Sequence, residues 1–341
     1  MSTAPFRFAT GTIVPNFDAY ARWLRTAEDV GCFELLCTGD SQSLWAEPFV
    51  SMTFAALHTE RCRIGIVVSN PVTRHPAVVA SACVALQKIS GGRFVYGISS
   101  GDSALRNIGE PPSSVAELDE YVRAVQGLTV GESVDYRGTE MALHWDHQRV
   151  PVFIAGSGPR TQRLAGRIAD GVVLASCLTP ESNQAALENI AEGAAEAGRS
   201  LDDIEIWWLA HVALAETEDE AIDELRFLLA GDANFMCRFH MDGKAIPEEI
   251  KPRLAALEAE YDSRHHAMRD TADANAALVD KFELRDFLAR RSTIAGPTER
   301  CVERLQEIAE AGIDKLLITQ FTDDPNAFMK VFADEIAARV L

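Results

Sequence analysis

Several short stretches of this sequence hold residue types that could do chemistry. Gly156-Ser157-Gly158-Pro159-Arg160 sets small residues just ahead of a helix-forming run. A helix N-terminus offers unpaired N–H groups and the positive end of a dipole, so such a turn receives a phosphate readily. The dinucleotide fingerprint needs a further glycine at position 161 and an acid after the next strand, where Thr161 and Ala175-Ser176 stand. A plain tight turn with a helix cap explains the same residues, and the sequence alone leaves both readings open. Gly97-Ile98-Ser99-Ser100-Gly101 matches the G-x-S-x-G elbow of serine hydrolases, with Ser99 as nucleophile and His211, His240, His265 and His266 as available bases.

Single residues at strand ends add to this set. Asp40 and Asp102 each follow a strand-like run, where a carboxylate can orient a cofactor or shuttle a proton, or simply cap a turn. His211 lies toward the end of another strand and can face a substrate or serve the core. Trp45 can stack on a flat ligand or pack inward. His75 precedes Pro76 and reads as a helix-start residue. His144 and His147 lack a nearby partner, and no metal site is expected from the spacing of the usual ligands.

The elements that must position these residues alternate. Strand-like runs start near residues 6, 33, 63, 93, 151, 171, 204 and 313, and helical patterns separate them. The strands carry Val, Ile, Leu and Phe with few charges, as strands buried on both faces do. Eight such strands predict a (β/α)₈ TIM barrel, whose chemistry sits at the C-terminal strand ends. Insertions are expected after the fourth and seventh strands: a small hairpin in 131–150, and a helical insertion at about 232–291 serving as a lid or an oligomer contact. The whole chain, 1–341, reads as one domain of this kind.

Composition narrows the function. With 32 Lys and Arg against 51 Asp and Glu, the charge is −19, which disfavours a nucleic-acid surface. It does not disfavour a phosphate held locally by backbone N–H groups. No apolar run reaches the ~20 residues that span a bilayer, and no signal segment is expected. Seven scattered cysteines without a CxxC pair fit free thiols and a cytoplasmic protein.

Val67–Val79 (VVSNPVTRHPAVV), Ile89–Asp102 (ISGGRFVYGISSGD), Pro151–Val173 (PVFIAGSGPRTQRLAGRIADGVV) and Gly296–Leu317 together resemble the luciferase-like monooxygenase superfamily. The resemblance implies a flavin or deazaflavin (F420) ring across the barrel mouth, resting on a non-prolyl cis peptide at Val67-Val68 with Asn70 nearby. It implies ring or ribityl contacts from Asp40, Ser100, Gly101 and Asp102. It implies a phosphate loop at Gly156, Ser157, Gly158 and Pro159, with Ser176 and Cys177 beside it. The expected function is an FMN-dependent monooxygenase using reduced flavin and O₂ on a small organic substrate, supplied by a separate flavin reductase. The alternatives are F420-dependent hydride transfer, similar to methylenetetrahydromethanopterin reductases, and the Ser99 hydrolase. A homodimer or higher homo-oligomer is expected from the same resemblance.

Overall fold

The computed structural model describes residues 5–14, 16–237, 240–262 and 273–341. Eight parallel strands close into a barrel: β1 (Arg7–Gly11), β2 (Phe33–Thr38), β3 (Arg63–Ser69), β4 (Phe94–Ile98), β7 (Val152–Ala155), β8 (Gly171–Leu174), β9 (Glu205–Leu214) and β11 (Lys315–Thr319), which returns to β1. They are the eight strands expected from the sequence. The antiparallel hairpin β5 (Val134–Tyr136) and β6 (Thr139–Met141) stands where the first insertion was expected.

Alternation along the strands sorts side chains into two layers. Ala9, Leu35, Cys37, Val95, Phe153, Val173, Trp207 and Leu317 fill the barrel interior as one cluster. The opposite faces meet the outer helices in a larger core that includes Phe8, Ile64, Tyr96 and Ile318. The N-terminal end of the barrel is plugged by charge. Glu205 accepts from Arg63 at 2.8 Å and from the Trp207 indole at 2.9 Å, and Arg7 stands 3.6 Å away. Chemistry is therefore left to the other end.

Local rules set the helix boundaries. Helix α1 (Phe17–Val30) starts where the Asn16 side chain accepts from Ala19 N–H, and ends at Gly31 with φ +72°. Helix α5 (Val115–Thr129) starts with a capping box between Ser114 and Glu117. Helices α2 (Pro48–His58), α3 (Pro76–Ile89), α6 (Pro159–Ile168) and α7 (Pro180–Glu196) all begin on proline, whose missing N–H costs nothing there. A short turn, α4 (Ser103–Arg106), follows β4.

The second insertion differs from expectation at both ends. Helix α8 (Glu218–Cys237) runs unbroken through Gly231 and Asp232, so Asp232 is helical and not the start of an insertion. Gly231 is buried in this helix. Helices α9 (Lys251–Glu260), α10 (Asp273–Lys281) and α11 (Arg285–Ser292) follow. With α8 they hold a small core of their own, including Leu229, Leu254, Leu257, Val279 and Leu288. A further strand, β10 (Thr293–Gly296), then pairs in parallel with the upper part of β9, Thr293 opposite His211. Helix α12 (Thr298–Glu310) leads to β11, and α13 (Pro325–Val331) near the C-terminus gives way to a π turn at 332–336 in place of one straight helix. Among the described residues, no helix is long and apolar enough to cross a membrane.

Candidate active site at the barrel mouth

The C-terminal ends of the strands converge on one mouth. After β2, Asp40 is fully enclosed, accepting from Ser69 Oγ at 2.6 Å and from Arg74 at 2.5 Å. The Arg74 guanidinium also reaches Glu47 at 2.8 Å, and the Tyr121 hydroxyl donates to the Arg74 carbonyl at 2.8 Å. Two carboxylates raise the Arg74 pKa against the effect of burial. Asp40 is thus tied to the frame that holds the end of β3. A side chain on Gly39 would meet the Trp45 ring at 3.3 Å, so Trp45 lies over this turn, with its indole Nε1 buried and unpartnered.

The Val67–Val68 peptide is cis, where the resemblance placed it. The β3–β4 register shifts between Ile66 and Ser69 at the same point. Gly97 makes room for the bulge: a Cβ there would lie 2.5 Å from the Ile66 carbonyl and 3.4 Å from Val67 Cα. Asn70 follows, buried, with its Oδ1 accepting from the N–H groups of Val72 and Thr73 at 3.0 and 2.9 Å. Its Nδ2 has no partner. A buried unpaired donor costs roughly 1–3 kcal/mol, which a ligand acceptor would recover.

After β4, Gly101 adopts φ +95°, and a Cβ there would meet Leu105 at 2.4 Å and Asn70 at 3.2 Å. The turn therefore presses directly on Asn70. The Ser100 carbonyl accepts from Ser113 N–H at 2.9 Å. Asp102 stands at the N-terminal end of α4 without capping it, and contacts Arg106 Nε at 3.1 Å. Tyr261, from the insertion, lies within electrostatic reach of both Asp102 and Asp232, and burial raises its phenol pKa. The insertion thus meets the β4 loop across the mouth.

The expected phosphate turn is built as a cleft. Gly156 packs against Thr161, where a Cβ would come within 2.5 Å of the threonine methyl. Ser157, Gly158 and Pro159 are partly exposed, and α6 begins at Pro159 with no side-chain cap on Gly158. The loop after α8 seats on this turn. Lys244 Cε is 3.8 Å from the Cβ position of Gly158, and its ammonium donates to the Met236 carbonyl at 2.9 Å. Opposite lies Ser176, with φ +56°, whose hydroxyl is 3.2 Å from that of Ser292. Arg291 donates to the carbonyls of Ser176, Ala245 and Lys244 at 3.1, 3.0 and 2.9 Å. No carboxylate among the described residues is within ion-pairing distance of Arg291, and burial lowers its pKa. Ser157, Ser176, Cys177, Lys244 and Arg291 line one small cleft. Neither cation was legible beforehand, because both come from the insertion and reach the turn only in the folded chain. This set suits a phosphate, which backbone N–H groups and buried cations hold together.

His211 lies on β9 with both ring nitrogens engaged. Its Nδ1 is 2.6 Å from Thr319 Oγ1, and its Nε2 is 3.2 Å from Asp232 Oδ2. Asp232 was missed in the sequence because it stood at an apparent boundary.

The Ser99 hydrolase is not supported. Ser99 Oγ accepts from the Gly101 N–H at 3.4 Å, while the mouth histidine, His211, is committed to Thr319 and Asp232. A nucleophile needs a base within hydrogen-bond reach, and among the described residues no base hydrogen-bonds Ser99. His265 and His266 lie outside the described residues. His75 caps α3, accepting from Ala77 N–H at 3.3 Å. No group of three or more potential ligands that could hold a metal occurs among the described residues.

Comparison with known proteins adds to this geometry. A family model described as luciferase-like monooxygenase matches residues 1–315. The chain is 28% identical over 326 residues to 5,10-methylenetetrahydromethanopterin reductase of Methanopyrus kandleri, covering 87% of each. It is 27% identical over 296 residues to the F420-dependent glucose-6-phosphate dehydrogenase of Microbacterium testaceum, covering 83% of this chain and 79% of that one. Among solved structures, the coenzyme F420 dependent tetrahydromethanopterin reductase from Methanopyrus kandleri matches with TM-score 0.77 at 21% identity, covering 99% of this chain and 100% of that one. The EDTA monooxygenase of Chelativorans matches with TM-score 0.69 at 13% identity, covering 99% and 93%. These structural likenesses show a shared fold.

Proposed function

The chain belongs to the luciferase-like monooxygenase family and is an oxidoreductase of that superfamily, and we propose that it is an F420-dependent hydride-transfer enzyme acting on a small organic molecule. The observation that carries this is the similarity, over most of the chain, to relatives named as F420-dependent dehydrogenases and as methylenetetrahydromethanopterin reductases. The FMN-monooxygenase reading, which would require a separate flavin reductase, is the weaker one. Its support is likeness to oxygenases at 13–18% identity, which speaks to fold alone.

The residues at the mouth fit such a cofactor. The unpartnered Asn70 Nδ2 and the bulge at Val67-Val68 form the floor for a flat ring. The N–H groups at Ser157 and Gly158, with Lys244 and Arg291, would hold the phosphate. Bound there, the deazaflavin supplies a two-electron hydride acceptor or donor. Asp40 holds Arg74 and Ser69 in place beneath the ring, a positioning role. Asp102 and Tyr261 would border the space left for substrate, and His211 lies buried behind the partly exposed Thr319. The helical insertion covers that space and excludes water, which strengthens every electrostatic contact inside. Titration of the protein with F420 and with FMN tests the reading.

We also propose a homodimer. Val50 and Leu57 on α2 and Val78 on α3 are 57, 70 and 61% exposed, apolar surface that a second copy would cover. Light scattering at the monomer mass would remove this part.

A further inference from the structure

Thr319, His211 and Asp232 come from three different elements, β11, β9 and α8, and meet in one line. The Thr319 hydroxyl is 2.6 Å from His211 Nδ1, and Asp232 Oδ2 is 3.2 Å from His211 Nε2. His211 and Asp232 are each less than a tenth exposed, whereas Thr319 is partly open at the end of its strand. The line therefore starts at the mouth and ends in the protein.

Charge sets its direction. Asp232 Oδ2 makes no well-aligned hydrogen bond, so its contact with the imidazole is chiefly electrostatic. A buried carboxylate so placed favours a proton on the facing nitrogen, Nε2. Nδ1 then keeps its lone pair, and the 2.6 Å contact runs as a hydrogen bond donated by the Thr319 hydroxyl. Asp232 also acts on Tyr261, Cys177 and Arg291, from the insertion and the β8 loop. All lie beyond the direct contact with His211.

We propose that Thr319, His211 and Asp232 form a hydroxyl–imidazole–carboxylate relay that carries the proton of a hydroxyl-bearing substrate at the mouth. The proposal rests on the hydride-transfer reading above. In oxidation, the carbinol C–H bond would break and its hydrogen would leave with the electron pair as hydride, for which an oxidised deazaflavin held at the mouth would supply the two-electron acceptor. The substrate O–H proton passes to Thr319 Oγ1 while the threonine proton passes to His211 Nδ1. The alcohol would become a carbonyl at the expense of that two-electron acceptor, and the imidazole becomes an imidazolium beside Asp232. That proton returns to solvent after product leaves. Reduction of a carbonyl runs the same steps in reverse. Thr319 touches substrate and is the catalytic group, His211 takes up the proton, and Asp232 is a positioning residue.

The test begins with ¹⁵N-histidine NMR of the full-length protein, with His211 assigned by comparison with His211→Gln. The expected neutral form carries its proton on Nε2. Asp232→Asn shifts the ring toward the Nδ1–H form, because an asparagine amide can donate to Nε2. A wild-type ring protonated on Nδ1 overturns the relay, and needs no variant to fold. With F420 and a panel of secondary alcohols headed by 2-propanol, Thr319→Val is expected to lower kcat about 100-fold, and Thr319→Ser to restore most of it. A kcat unchanged in Thr319→Val overturns the relay, as does failure of the F420-loaded wild type to oxidise any alcohol of the panel. F420 binding is read separately by fluorescence. Its failure sinks the functional reading and leaves the NMR result intact.

Discussion

Gly243 and Pro159 meet so closely that a Cβ on the glycine would lie 2.5 Å from the proline Cγ. Through this contact the insertion sits on the first turn of α6, and Lys244 is carried to the edge of the cleft beside Gly158. Gly243 also holds φ +73°, which side-chain-bearing residues rarely adopt. Gly243→Ala should lift the loop away and weaken binding of F420, read as a rise in Kd by fluorescence quenching. An unchanged Kd would show that the seating does not matter to the cofactor.

Lys244 itself can be tested by charge. A charge-assisted hydrogen bond to phosphate contributes about 1.5–3 kcal/mol, or roughly 10–100-fold in affinity. Lys244→Met should cost that much for F420 and leave the phosphate-free deazariboflavin core unaffected. Equal losses for both ligands would place the lysine away from the phosphate.

The barrel was legible because its strands are buried on both faces and keep short apolar runs between helices. Strand β10 was not, since Thr293–Gly296 follows the charged run Arg290-Arg291 and is only four residues long. The start of the insertion at about 232 fell inside α8, because Gly231-Asp232 reads as a break. Burial of α8 against β9 and the rest of the insertion overrides the local propensity of those two residues. The Gly156–Pro159 turn ahead of α6 was visible as a local motif, and the Val67–Val68 bulge through the family resemblance. Lys244, Arg291 and Asp232 were not visible, because they join the site only through contacts distant in sequence.

The buried Asp40–Arg74 pair at the barrel mouth gives a stability prediction. Asp40 has no solvent exposure at its side chain, and Arg74 is its cationic partner. Arg74→Ala leaves a buried carboxylate uncompensated, at a cost of about 3 kcal/mol. Urea denaturation should show the midpoint falling accordingly. A loss below about 0.5 kcal/mol would mean that water reaches Asp40 freely.

All seven cysteines are free and buried. Burial pushes the thiols of Cys32, Cys37, Cys62, Cys237 and Cys301 up to about 12, and Cys177 up to about 11. An unfolded thiol titrates near ~8.5. The folded state therefore binds these protons more tightly. Their stabilisation is complete below that value and is lost as pH rises toward 11–12. Tm should decline steadily above about pH 9. Iodoacetamide at pH 8 should label the native protein slowly and the urea-unfolded protein fully. Rapid labelling of any thiol in the native state would contradict this account.

The central claim is that the mouth holds F420 and uses it for hydride transfer. Titrating F420 into the purified protein, with FMN and reduced FMN as parallel arms, tests it most directly. The account predicts saturable quenching of F420 fluorescence with one site per chain, and weaker or absent binding of either flavin. Saturation by reduced FMN without any response to F420 would contradict it.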